Sequence, residues 1–267
     1  MSELTPAITS PQNPLVKQIR QLHRPKGRRE QAQFLLEGTH LLETALALEC
    51  SPIVACYTPA WQARYPQLWQ RLTQQAQRAV LVSPDVLALL ATTVNPDGVV
   101  ATLAQSDFEA PPPAVMQLGL VLECLQDPGN LGTILRTAVA TEVGGLWLSQ
   151  DSVDWQNPKV LRASAGACLQ LIPQTATNLK TVIQSYQVQG FQIIATLPQA
   201  TKTYWEIDFR RPSLLLFGNE GQGLSPELVA LTDEQVVIPQ ARAVESLNVA
   251  VAVALLLYEA QRQKQFT

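Results

Sequence analysis

The run Leu214-Leu-Leu-Phe-Gly-Asn-Glu-Gly-Gln-Gly-Leu-Ser225 restricts this chain more than any other stretch. Four consecutive apolar residues, Leu214 to Phe217, are too few for a buried helix. They suit a strand covered on both faces, the pattern of a parallel sheet flanked by helices. The strand runs into Gly218, Gly221 and Gly223, which permit positive φ and close approach of a ligand to the backbone. Glu220 stands between them at the strand's carboxyl end, where ligands of such sheets bind. Ser225-Pro226 then opens a helix, as cap and first-turn proline. A glycine-rich turn by itself needs no carboxylate, so Glu220 marks the loop as a candidate site.

The rest of the chain divides at Ala110-Pro-Pro-Pro-Ala114, which forms neither helix nor central strand and acts as a stiff connector. We expect an N-terminal α/β domain over 1–110, a proline-rich linker over 111–117 and a second α/β domain over 118–267. In the first, a basic amphipathic helix over 13–24 places Leu15, Ile19 and Leu22 on one side. Strands at 34–38, 53–57, 79–82 and 99–103 follow, alternating with helices at 39–48, 60–78 and from Ser83. In the second, strands at 118–125, 145–149, 191–196, 214–217 and 235–238 alternate with helices at 131–141, 157–167, 178–187 and 247–262. That order predicts a mostly parallel sheet with helices on both faces.

Composition excludes several classes. Of 267 residues, 46% are hydrophobic and 15% charged, which excludes a disordered chain. The N-terminus lacks the basic and apolar regions of a signal peptide, and the run Asn248 to Leu257 is about half the ~20 residues of a membrane span. We expect no membrane association. The four cysteines have no metal-ligand spacing and there are only two histidines, so we expect no metal site and a reducing, cytoplasmic compartment. His23 and His40 read as packing or surface residues. The net charge is −3, yet Lys17, Arg20, Arg24, Lys26, Arg28 and Arg29 crowd the first 30 residues against only Glu3 and Glu30. That local patch suits a polyanion.

Loops that follow different strands of a parallel sheet converge on one edge. Three such loops carry unusual polar residues. The first, Leu125 to Arg136, turns at Pro128-Gly129 and offers Asn130 as a helix cap, with Arg136 further along the helix. The second holds Glu220. The third, Ile238 to Asn248, offers Ser246 as a cap and places Asn248 at the start of a very apolar helix, where its amide needs a partner.

Together, Asn130 to Arg136, Phe217-Gly-Asn-Glu-Gly-Gln-Gly223 and Ile238-Pro239 with Ser246-Leu-Asn-Val249 resemble, in order and spacing, the three motifs of the SpoU (TrmH) family of RNA ribose methyltransferases. Phe34-Leu-Leu-Glu-Gly38 is similar to part of the substrate-binding domain often joined to them. The resemblance implies methyl transfer from S-adenosyl-L-methionine to a ribose 2′-hydroxyl of RNA. It also implies a C-terminal domain with a deep trefoil knot, and a homodimer formed through that domain. It implies active-site roles for Asn130, Arg136, Glu220, Ser246 and Asn248, and a cofactor pocket around Thr196, Leu197, Gly218, Asn219, Gly223, Ile238 and Leu247. The six basic residues of the N-terminal patch are then RNA contacts. Gln240 and Arg242 stand where relatives often carry methionine and glycine; Arg242 offers a further phosphate contact.

The C-terminal domain has no histidine to act as a base. A guanidinium is itself a poor base, so Arg136 is expected to stabilise the developing oxyanion and an adjacent phosphate. Glu220, Asn130 and Asn248 would fix its position, and Ser246 would contact substrate or relay a proton. Ribosomal RNA is the preferred substrate; transfer RNA, or RNA binding without catalysis, are the alternatives. A dinucleotide-dependent oxidoreductase requires G-x-G-x-x-G after the domain's first strand, and that run is absent.

Overall fold

A computed structural model describes residues 7–108, 116–241 and 246–265. Most of the expected linker, at 111–115, and Arg242 lie outside the described residues. The chain packs as two compact units. One takes the described residues up to 108 together with Gln156–Leu169; the other takes the described residues from 116 to Trp155 and from Gln170 onward.

The first unit has a four-stranded sheet in the order β1-β4-β2-β3, built from β1 (Gln33–Glu37), β2 (Val54–Tyr57), β3 (Ala79–Leu81) and β4 (Val99–Ala104). β4 runs antiparallel to both neighbours, while β2 and β3 are parallel. Around it lie α1 (Pro14–Gln21), α2 (Pro25–Gln31), α3 (Thr39–Ala47), α4 (Pro59–Arg64), α5 (Pro66–Gln75) and α6 (Pro84–Leu90). α1 buries Val16 and Ile19 and leaves Lys17 and Arg20 in solvent, as its apolar spacing requires. The helix expected over 60–78 is two helices. Pro66 has no N–H for a continuing ladder, and Tyr65 before it leaves the helical region at φ −126° and ψ 60°. The seven-residue α2 has no apolar period and was not expected.

The second unit is organised by a seven-stranded sheet in the order β7-β6-β5-β10-β8-β11-β9, with every ladder parallel. Its strands are β5 (Leu118–Leu122), β6 (Gly145–Ser149), β7 (Gln174–Ala176), β8 (Gln192–Thr196), β9 (Lys202–Thr203), β10 (Ser213–Phe217) and β11 (Glu234–Val237). β10, the strand of the opening motif, is wholly buried between β5 and β8. Leu214 and Leu216 pack with Val121, Trp147, Ile183 and Ile193 on one face. By alternation, Leu215 and Phe217 turn to the other. Its helices are α7 (Pro128–Ala140), α9 (Leu179–Val188), α10 (Pro226–Val229) and α11 (Val249–Gln265), while α8 (Pro158–Ala163), encoded between β6 and β7, packs elsewhere. α7 packs along α11. The edge strands β7 and β9 escape sequence reading because three and two residues carry no period. The helix expected over 157–167 is shorter, as α8, and belongs to the first unit rather than to the C-terminal half that encodes it.

Candidate active site

Because the sheet is parallel, β5, β8, β10 and β11 all end on one edge, and the loops leaving them meet there. The first loop is fixed by Asp127, not by Asn130 as the sequence suggested. Asp127 caps α7, its Oδ1 accepting from Asn130 N at 2.8 Å, and Pro128 fills the first helical position. With the cap supplied elsewhere, the Asn130 amide is free to bridge. Its Nδ2 donates to Glu220 Oε1 at 2.8 Å, and its Oδ1 accepts from Asn248 Nδ2 at 2.9 Å. Asn248 in turn caps α11, its Oδ1 accepting from Ala250 N at 2.9 Å, so it, and not Ser246, is the residue that closes this helix end. One carboxylate and two amides thus tie the three loops together, and Glu220 is left exposed.

The Glu220 loop is held by its own backbone and by Asn219. Asn219 N donates to Gly223 O at 3.1 Å and Gly223 N to Asn219 O at 2.9 Å. Asn219 Oδ1 accepts from Gly221 N and Gln222 N, and its Nδ2 donates to Cys124 O at 2.9 Å. The Asn219 side chain is therefore turned into the protein, where it builds the loop. Gly223 has φ +72°, and a Cβ on Gly218 would lie 2.0 Å from the Gly223 carbonyl carbon. No other residue fits at 218 without opening the turn. Glu123 Oε2 accepts from Ser225 N at 2.7 Å and pins the far end of the loop.

Of the positions implied for the methyl donor, Thr196, Leu197, Gly218 and Ile238 lie at the ends of β8, β10 and β11, and Leu247 just precedes α11. Thr196 Oγ1, at the end of β8, is buried and has no hydrogen-bond partner among the described residues. A buried hydroxyl without a partner is costly unless a ligand supplies one. Leu197 is half-buried, Ile238 is 7% exposed, and Leu247 is half-buried. Apolar side chains, one hydroxyl and the tight Gly218 turn suit a ligand with an apolar body and hydrogen-bonding groups, as S-adenosyl-L-methionine has.

Other expected residues are not brought into this network. Arg136 is exposed on α7 and has no hydrogen bond or ion pair among the described residues. Six residues separate it from Asn130, roughly 9 Å along the helix and about 240° around it. Within one chain it therefore faces away from the amide bridge. Ser246 is exposed. In the first unit, Lys17, Arg20, Arg24 and Lys26 line one cleft of about 430 Å³ with Gln21 and His23, and Arg29 is exposed. Arg28 is a correction. It is 1% exposed and its Nη1 donates to Leu22 O at 3.0 Å, so it holds the turn between α1 and α2 and cannot meet a polyanion. Among the described residues no group of three His, Cys, Asp or Glu is placed to hold a metal ion.

Sequence reading missed Asp127, Glu123 and the pair Cys124–Asp151. Asp-Pro-Gly ahead of an apolar helix was a visible cap signal for the first. The others depend on distant partners. Cys124 Sγ donates to Asp151 Oδ2 at 2.8 Å, and that bond, with some burial, pushes the thiol up to about 11 while holding the Asp151 carboxyl low.

Residues 117–258 match the SpoU rRNA methylase family, and residues 13–101 match the MRM3-like substrate binding domain. The chain is 58% identical over 258 residues to an uncharacterized tRNA/rRNA methyltransferase of Synechocystis, covering 97% of this chain and 94% of that one. It is 32% identical over 252 residues to the 23S rRNA (guanosine(2553)-2′-O)-methyltransferase RlmP of Bacillus subtilis, covering 94% and 97%. The crystal structure of an AdoMet-bound rRNA methyltransferase from Sinorhizobium meliloti superposes with a TM-score of 0.85 at 31% identity, covering 96% and 97%.

Proposed function

The chain belongs to the SpoU rRNA methylase family, and on that premise we propose that it transfers a methyl group from S-adenosyl-L-methionine to a ribose 2′-hydroxyl of ribosomal RNA. The observation that carries this reading is the bridge Glu220–Asn130–Asn248, which joins all three motif loops at the carboxyl edge of the sheet.

When bound, the cofactor supplies an electrophilic methyl on a sulfonium; everything else falls to this chain. Gly218 gives the backbone close approach, Thr196 Oγ1 offers a hydrogen bond, and Leu197, Ile238 and Leu247 exclude water. Asn130 and Asn248 spend their amides on each other and on Glu220. They therefore position Glu220, which keeps its second oxygen for substrate. Arg136 stabilises the oxyanion and the adjacent phosphate. Ser246 contacts the substrate.

The homodimer is part of the same proposal. α11 exposes Val251 at 48% and Tyr258 at 55%, on a cleft of about 580 Å³ that also includes Thr133 of α7 and Leu255. Large apolar side chains in open water suit a second copy of the chain. Arg136 lies one turn from Thr133, so a dimer seated there would have its guanidinium near the interface. The deep trefoil knot belongs to this reading too, as does a cytoplasmic location. RNA is gripped by Lys17, Arg20, Arg24, Lys26 and Arg29, with Arg28 withdrawn from that set.

The test is incubation of the protein with labelled S-adenosyl-L-methionine and total RNA from a strain lacking its gene, followed by mapping. Label in one 2′-O-methylated ribose of ribosomal RNA is expected. Label in transfer RNA would move the substrate, and cofactor binding without label in any RNA would overturn the catalytic reading. Arg136→Ala should abolish labelling and leave cofactor binding intact; equal loss of both would remove Arg136 from its role.

A further inference from the structure

Residues Gln156–Leu169 leave the second unit after Trp155 and rejoin it at Gln170, yet they pack in the first unit. We propose that this segment is an intramolecular anchor: the surface made by β1, α3 and the 91–98 loop is its docking site, and it holds the RNA-gripping unit to the chain independently of the proline-rich connection.

Several contacts of different kinds converge on the segment. Val160 and Leu161 of α8 are fully buried, as is Cys168, and α8 packs on β1. Glu37, the last residue of β1, is 6% exposed. Its Oε1 accepts from Thr92 Oγ1 at 2.5 Å, and its Oε2 lies 3.0 Å from Arg162 Nη1. That same Nη1 donates to Thr92 Oγ1 at 2.7 Å, so the guanidinium holds the hydroxyl and faces the carboxylate together. Glu37 Oε2 is thus held by the charge of Arg162, with no hydrogen bond of its own among the described residues. Gln105 Nε2 meets Gln156 Oε1 at 2.5 Å, and His40 Nε2 meets Ala165 O at 3.2 Å. Gly166, at φ +86°, sits so close to Thr44 that a Cβ would come within 2.8 Å of its methyl.

A carboxylate buried this deeply needs its countercharge in place. In this unit the cation comes from a segment encoded some 125 residues after Glu37, between β6 and β7 of the catalytic sheet (162 − 37 = 125). The first unit therefore reaches its full set of pairings only when the catalytic half of the chain is present. Two further chain crossings, at Trp155 to Gln156 and at Leu169 to Gln170, join the units whether or not the connection near 110 is intact.

The experiment cuts that connection in the folded, full-length protein. A site-specific protease sequence replaces Pro111-Pro112-Pro113, and the cleaved chain is run on size exclusion at micromolar concentration. The two fragments are expected to elute together. In an Arg162→Ala background the cleaved fragments should associate about a hundredfold more weakly, and Arg162→Lys should restore part of that, since it keeps a cation beside Glu37. Circular dichroism of the uncleaved variants separates release from unfolding. Separation of the wild-type fragments overturns the anchor, and Arg162→Ala fragments that stay together as tightly as wild type overturn Arg162 as its lock. The readout uses no methyl transfer, so its failure is distinct from failure of the catalytic assignment.

Discussion

Glu37 ends one buried strand and Glu220 lies in the loop that follows another; both accept from a side chain far away in sequence, but they are treated in opposite ways. Glu37 is buried, takes a hydroxyl from Thr92 and faces the guanidinium of Arg162. Glu220 is exposed, takes one amide proton from Asn130, and has no cation beside it among the described residues. A carboxylate whose charge is neutralised inside the protein serves the fold. One that keeps its charge and a free oxygen, held by neutral amides at a sheet's carboxyl edge, is available to a ligand. The difference is between two surroundings of the same side chain.

The comparison predicts opposite responses to truncation. Glu220→Ala should lower methyl transfer by about a hundredfold or more, while unfolding free energy stays within about 0.5 kcal/mol of wild type, as for other exposed sites; single-turnover rates and urea titrations read the two quantities. A large loss of stability would place Glu220 with Glu37. Arg162→Ala, by contrast, strands a buried carboxylate and should cost about 3 kcal/mol. Glu37→Gln strands only a partly exposed arginine and should cost about 1 kcal/mol. The reverse order in urea unfolding would show that the burial of Glu37 is relieved by water.

A smaller effect separates two glycines of the Glu220 loop. Gly218→Ala places a methyl against the Gly223 backbone, at an expected cost of about 1–3 kcal/mol together with loss of cofactor affinity. Gly221→Ala meets only Asn219 Oδ1 at 3.6 Å and should bind cofactor nearly as wild type. Calorimetric titration of both variants decides whether the turn or glycine content as such matters. The smallest effect concerns Asp151, which is exposed like Glu220 yet bound to a thiol. With Cys124 near 11, only about one thiol in a thousand is ionised at pH 8, so alkylation there should be slow and should quicken as pH rises toward 11. Asp151→Asn removes the charged acceptor that raises the thiol and should speed alkylation at pH 8; an unchanged rate would mean that burial and the charge of Glu123 set the Cys124 value.

Much of the catalytic half was legible because its signals are local. β10 is found from four apolar residues followed by glycines, β6 lies at Gly145–Ser149 as its spacing predicts, and all three loops fall where strands end. The errors share one physical origin: they concern side chains whose partners are remote. Asn130 reads as a cap, but Asp127 does that work and releases Asn130 to reach Glu220, 90 residues away. Arg28 reads as one more cation in a basic run, but its place after the α1 turn buries it against Leu22 O. Nothing local shows that the Asn219 amide closes its own loop and reaches Cys124 O.

Sequence alone determined that this is an α/β chain with a buried parallel strand feeding a glycine loop, because period, apolar run length and glycine placement act over a few residues. It also pointed to the reaction, because three motifs in order are specific even when their contacts are unknown. Only the tertiary structure decided which polar groups are free. Each amide, carboxylate or guanidinium has a fixed number of hydrogen bonds to give or accept, and which of them are spent inside the protein depends on neighbours brought in from distant segments. The same holds for α8, whose apolar face suits either unit by sequence and is assigned to the first by the buried charge of Glu37.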